Sequence, residues 1–194
     1  MQSTQPSSET RAGTPRVITW TPDDFALHLH EAMQIYVRAM NYPPHAASQR
    51  AVTARRHTGH HGFASRAAVL PDGTVVGFGY GYTTLPGQWW HDLVRRALDK
   101  RDVADWLDDA FELSELHVLP EYQGAGLGRE LLIDLAAALP HETMLLSTPD
   151  IRSRAFRLYR GLGFVDLRRH YLFPGDVRPF AVLGARLALQ GDGG

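Results

Sequence analysis

Leu116-His-Val-Leu-Pro-Glu-Tyr-Gln-Gly-Ala-Gly-Leu-Gly-Arg129 reads as a strand, a short glycine-rich loop and the first turn of a helix. Gln123, Gly126 and Gly128 form the pattern Q-x-x-G-x-G, overlapped by Gly124. Glycine turns the chain tightly and brings backbone N–H groups close to a ligand with no Cβ in the way. Downstream, Leu127, Leu131, Leu132, Leu135 and Leu139 have helical spacing, and Pro140 stops the run. A helix that begins at such a loop offers free N–H groups and the positive end of its dipole, a combination that binds phosphate. The segment therefore predicts a ligand carrying a pyrophosphate.

Two other phosphate loops do not fit. A P-loop ends in Gly-Lys-Ser/Thr, and here Gly128 is followed by Arg129 and Glu130. A dinucleotide fold needs G-x-G-x-x-G and an acidic residue after the next strand. The glycines here are spaced differently, and Pro149-Asp150 after the strand Thr143–Thr148 is a loose match.

Working outward, Arg16–Trp20 reads as a strand. Thr21 then caps a helix with Pro22 in its first turn, running to about Met40. Asn41-Tyr-Pro-Pro44 ends it, and a second helix covers Ala46 to His57. Phe63–Leu70 and Thr74–Thr84 form a hairpin around Pro71-Asp72-Gly73. Residues 85–110 hold two helical stretches, from Gln88 to Leu98 and from Val103 to Ala110. Phe111–Leu119 is the central strand. After the glycine loop and its helix come a buried strand at Met144–Thr148, a helix at Ser153–Leu162, and strands at Val165–Phe173 and Phe180–Leu189. This order predicts a mixed α/β sheet in one layer with helices on both faces.

Composition narrows the function. The 194 residues suffice for one domain with a real core, expected over 16–190 behind a disordered tail at 1–15; Gly191–Gly194 reads as a frayed end. A net charge of −1 implies no general attraction to nucleic acid or membrane. The absence of cysteine excludes disulfides, thiolate zinc sites and cysteine nucleophiles. No run reaches the length of a membrane-spanning helix, and Met1–Thr10 lacks the features of a signal peptide, so a cytoplasmic location is expected.

A second motif joins the first. Arg154-Ala-Phe-Arg-Leu-Tyr-Arg-Gly-Leu-Gly-Phe164 places Ala155, Leu158, Tyr159, Gly163 and Phe164 in a distinctive order. With the Q-x-x-G-x-G loop before it, the chain resembles the GNAT N-acetyltransferases, which carry these two motifs in this order and at this separation. The resemblance implies a mostly antiparallel GNAT-like sheet, with residues 85–110 as a helical insertion and a candidate lid. It also implies an enzyme that moves an acetyl group from acetyl-CoA to a primary amine of a small molecule or peptide.

The same resemblance distributes the roles. Backbone N–H groups from Gln123 through Gly124, Ala125, Gly126, Leu127 and Gly128 to Arg129 hold the pyrophosphate, and the strand backbone at His117 and Val118 pairs with the pantetheine arm. Tyr159 is the candidate general acid for the departing thiolate. Glu115 and Glu112, three positions apart on one strand and so on opposite faces, are the candidate bases, with Glu115 preferred. For each carboxylate an ion-paired structural role is the alternative, as core packing is for Tyr159 and His117. The family often has Asn where Arg152 stands, and Arg152 cannot accept that hydrogen bond; a cofactor phosphate is its alternative partner.

His57, His60 and His61 suggest a metal, but their spacing fits a polar loop entering a strand better; in the fold the chain resembles, that segment lies near the acceptor site. Trp89, Trp90 and Trp106 pack the insertion, or meet an acceptor or a second copy in a homodimer. Gly77, Gly79 and Gly81 bare one strand face for a helix, a ligand or a backbone. The rival reading is a non-catalytic acyl-CoA sensor or interaction module of the same fold.

Overall fold

The computed structural model describes residues 13–189. The tail expected over 1–15 therefore lies outside them except for its last residues, and the end at 191–194 lies wholly outside. The chain forms β1 (Arg16–Trp20), α1 (Pro22–Leu27), α2 (Leu29–Met40), α3 (His45–His57), β2 (Ala64–Val69) and β3 (Val75–Thr83). There follow α4 (Trp89–Ala97), α5 (Lys100–Leu107), β4 (Ala110–Val118), α6 (Leu127–Ala137), β5 (Thr143–Pro149), α7 (Arg154–Gly161), β6 (Val165–Tyr171) and β7 (Phe180–Arg186). Thr21 caps α1 through a reciprocal box: its Oγ1 accepts the Asp24 N–H at 3.1 Å, and Asp24 Oδ2 accepts the Thr21 N–H at 2.9 Å. The single helix expected from Pro22 to Met40 is broken at His28, whose ring lies flat on Trp20 at 4.9 Å.

All strands join one sheet in the order β1-β2-β3-β4-β5-β7-β6. Every neighbouring pair is antiparallel except β4 and β5. That parallel pair is short. It runs only from Ala110 opposite Thr143 to Glu112 opposite Leu145, and beyond it the strands part. The β5-side edge of β4 from Leu113 to Val118 is left without a strand partner.

Register sorts the faces, because residues directly opposite each other on neighbouring strands share a side. Phe78, Tyr80 and Tyr82 alternate along β3 and stand opposite His117, Glu115 and Glu112. All six lie on one face, covered by α1, α2 and α3. Residues 112 and 115 share it because β4 carries a bulge. Tyr80 pairs with Glu115 but Gly81 with Leu113, so Ser114 is an extra residue that shifts the alternation by one. Simple period-two counting, which put the two carboxylates on opposite faces, is corrected by that residue.

On the other face Leu131, Leu132 and Leu135 of α6 and Tyr159 of α7 pack into the core. The glycine stripe of β3 lies on this side and is filled by protein. A Cβ on Gly77 would stand 3.3 Å from Leu131, and one on Gly81 would run into the Phe111 ring and the Glu112 carbonyl. Acceptor access through that face is excluded. Helices α4 and α5 bury Trp90, Leu93, Val94 and Leu107 against Leu145 and Val182, closing a third core cluster. Part of the insertion is therefore integral to the core.

Candidate active site

The glycine loop leaves β4 through a single 3-10 turn, Pro120–Tyr122, and enters α6 at Gly126. Gly124 and Gly126 have φ of 89° and 87°, the left-handed region that strains any other residue. A Cβ at either would meet nothing within 4 Å, so the loop borders open space. Gln123 ties it down. Its Nε2 donates to the Val118 carbonyl at 2.8 Å, and its Oε1 accepts from Arg154 Nη1 of α7 at 2.9 Å. The Gln123 N–H goes to the Pro120 carbonyl and the Arg129 N–H to that of Gly126. Of the N–H groups expected from Gln123 to Arg129 to hold a ligand, those of Gly124, Ala125, Gly126, Leu127 and Gly128 have no acceptor among the described residues. Free backbone N–H groups at the positive end of a helix are an arrangement suited to an anion.

The loop stands at one end of the gap where β4 and β5 part. His117 and Val118 lie on the open edge, and the Val118 carbonyl takes the Gln123 hydrogen bond. The His117 side chain points away to the helical face, with Nε2 2.5 Å from Glu115 Oε2.

On that face a cleft of about 780 Å³ reaches the gap. Its floor is Glu112, Leu113 and Ser114 of β4; α3 supplies Arg50, Thr53 and His57; the insertion supplies Gln88, Trp89 and Trp90; the β6–β7 loop supplies Phe173 and Asp176. Trp90 Nε1 donates to Ser147 Oγ at 3.1 Å, fixing α4 to β5. Helix α3 packs against α2 with Ala47 and Ala54 buried, and its longer polar side chains reach the sheet.

The two carboxylates differ sharply. Glu115 is bound by Arg50 Nε on one oxygen and by His117 on the other. Burial alone would raise its pKa, but Arg50 and His117 together hold it below the usual carboxylate value. Glu112 has no such partner. Burial raises it to about 8, with Tyr82 and Arg50 offsetting only part of the effect. Its Oε2 is buried without a hydrogen bond among the described residues. His57 lines the same cleft, 3.1 Å from the Tyr80 hydroxyl and 3.4 Å from Ser114 Oγ. Burial, with Arg50 and His60, lowers His57 to about 4, so the ring is neutral at physiological pH. His60 stacks on Tyr82 at 4.5 Å. The histidines line a cleft, and the described residues contain no group of side chains suited to a metal.

Tyr159 sits across the sheet, packed with Phe111, Leu113 and Phe164. Burial first, and Glu115 second, raise its pKa, so the hydroxyl stays protonated and able to donate. Arg152 is exposed and touches none of these groups through a hydrogen bond or ion pair among the described residues.

Sequence reasoning missed Arg50, Thr53 and the ring of Phe173. A signal existed for the first two. Arg50, Thr53 and His57 are spaced i, i+3 and i+7, one polar stripe along a helix whose buried side is alanine.

Comparison with known proteins agrees with this fold. The sequence model of the Acetyltransferase (GNAT) family matches residues 29–164. A GCN5-like protein acetyltransferase of Mycobacterium tuberculosis is 37% identical over 89% of this chain and 98% of its own length. Among solved structures, a phosphinothricin acetyltransferase of Sinorhizobium meliloti in complex with acetyl-CoA superposes with a TM-score of 0.61, at 20% identity, over 93% of this chain and 90% of that one. The ribosomal-protein-S18-alanine N-acetyltransferase of Escherichia coli gives 0.60 at 21% identity, over 92% and 97%. The chain belongs to the GNAT acetyltransferase family. It is an acetyltransferase, and acetyl-CoA is its co-substrate.

Proposed function

We propose that this chain transfers the acetyl group of acetyl-CoA to a primary amine held in the cleft beside α3, with Glu112 as general base and Tyr159 as general acid. The observation that carries this reading is the opening between β4 and β5. It has the N–H cradle at one end, the free β4 edge along it, Glu112 on one face and Tyr159 on the other. Acetyl-CoA supplies the activated acyl group. The cradle N–H groups of Gly124 to Gly128 bind its pyrophosphate, and the open edge near His117 and Val118 extends along its pantetheine arm.

The amine attacks the thioester carbonyl carbon from the cleft, and the C–S bond breaks on the far side. Glu112 takes the proton the nitrogen gives up, and the thiolate sulfur takes one from Tyr159 or from water. With a pKa near 8, Glu112 is basic enough to compete for an ammonium proton, which the ion-paired Glu115 is not. Glu115 is then a positioning group that anchors Arg50 and His117. Holding the two reactants at the gap supplies much of the acceleration, since the attack is direct.

A second reading, in which the amine belongs to a protein, is supported by the description of the Mycobacterium tuberculosis relative as a protein acetyltransferase. The test of the chemistry is release of free CoA thiol, followed across pH for the wild type and E112Q with an amine panel. The reading expects turnover that rises through about pH 8 and is lost in E112Q. Equal rates in the two proteins would overturn the assignment of the base.

A further inference from the structure

Arg50 stands where two clefts meet. It lines the 780 Å³ cleft over Glu112 and a smaller one of about 420 Å³ edged by Tyr36, Tyr42 and Gln49. Only its Nε is engaged, by Glu115; neither Nη atom has a hydrogen-bond partner among the described residues. Arg66 shows what a purely structural buried guanidinium does in this protein. It donates from Nε to Asp134, from Nη1 to the Ser65 carbonyl and from Nη2 to the Asp134 carbonyl. The Arg50 side chain is 30% exposed against 8% for Arg66, and the surfaces it lines are the two clefts. Glu115 holds one edge of the fork and leaves the other free, aimed by a buried ion pair.

A guanidinium with two free nitrogens in a plane matches a carboxylate. No carboxylate of the cleft competes for it. Asp176 is taken by Arg178 through both oxygens, and Glu112, raised by burial, is mostly neutral at pH 7. The Arg178 Nη1 also donates to the Tyr42 hydroxyl at 2.7 Å, which latches the β6–β7 loop across the cleft toward α2. The space beneath has the size of a small-molecule site and is walled by Trp90, Phe173 and Tyr82.

The geometry points to Arg50 as the specificity-determining residue for an acceptor that is an aminocarboxylate: a small amine whose own carboxylate lies on the Arg50 fork while an apolar or aromatic side chain fills the cleft. Thr53, one turn along α3, offers a hydroxyl to the same group. The assignment rests on the transfer chemistry proposed above and names its substrate class.

The test is kcat/KM for free CoA release with L-phenylalanine, L-phenylalaninamide, 2-phenylethylamine and an N-blocked lysine peptide. Wild type, R50Q and R50K are compared. Wild type is expected to favour phenylalanine over the amide and the phenylethylamine by about 10- to 100-fold. In R50Q that ratio should collapse toward one. R50K, which keeps a cation for Glu115 but lacks the fork, should fall between. Each ratio is taken on one protein sample, so loss of folded material in a variant does not alter it. Turnover of the amines with no gain from the carboxylate, or a clear preference for the lysine peptide, would overturn the Arg50 assignment and leave acetyl transfer intact. No turnover with any amine of the panel would overturn both.

Discussion

At the scale of single residues, the site turns on how differently two nearby carboxylates are treated. Glu115 has Arg50 and His117, and Glu112 has only Tyr82 across the strand. Replacing Glu112 by Gln should lower kcat/KM about 10²- to 10⁴-fold and remove the inflection near pH 8 from the rate profile, as followed by thiol release. The same residue makes a stability prediction. Its folded pKa is raised from 4.5 to about 8, so its contribution is full below about pH 4.5 and is lost as pH rises through about 8. In denaturant unfolding, E112Q should gain stability relative to the wild type on going from pH 5 to pH 9; a constant difference would contradict the shift. Tyr159→Phe should lower kcat with little change in acetyl-CoA affinity, and an unchanged rate would remove Tyr159 as the acid. Which glutamate was the better base was not legible in the sequence. The choice depends on one bulge residue, Ser114, and on Arg50, which lies 65 positions away from its partner. Periodicity does not announce a bulge, and the spacing of α3 says nothing of what it will face across the sheet.

Elements were easier to read than contacts. The leucine spacing after the glycine loop is α6, the Pro-Asp-Gly turn joins β2 to β3, and Thr21 caps α1, because each is set by local chemistry. His28 escaped such reading, since a bend held by stacking on Trp20 has no local signature. The glycine stripe of β3 was legible as a bare face but not as one already filled. Its Gly81 yields a sharp test: a Cβ there would lie 2.0 Å from the Glu112 carbonyl oxygen, a backbone atom that cannot swing aside. G81A should destabilise the fold by about 3 kcal/mol, the upper part of the usual overpacking range, and should also disturb Glu112. Full stability and activity in that variant would contradict the packing. Helices α4 and α5 call for a changed expectation as well. Their buried Trp90, Leu93, Val94 and Leu107 make a deletion of 88–108 a loss of core, and such a protein should unfold, whereas Trp89→Ala should alter acceptor use alone.

For the whole molecule, the proposed function rests on the place where the sheet fails to close. Five of the six neighbouring strand pairs are antiparallel, but the sixth, the parallel β4–β5 pair, stops after Glu112, and the glycine loop, the cleft beside α3 and Tyr159 all border the opening. A ligand spanning that opening bridges both halves of the sheet and binds only the folded chain. At a concentration 100 times its Kd it should stabilise the protein by about 2.7 kcal/mol. The described residues contain no helix long and apolar enough to cross a membrane, in keeping with the composition. The glycine loop was legible in sequence because its turns are written in glycines close to one another, and the cleft was legible only in part because its walls come from segments far apart in the chain, from α3 to β7. The most direct test is calorimetric titration of the wild type and of Gly126→Glu with acetyl-CoA, with NAD as control. Micromolar binding by the wild type, none by the variant and none of NAD is the predicted result. Acetyl-CoA binding that survives a carboxylate in the cradle, or no binding by the wild type, would contradict the account.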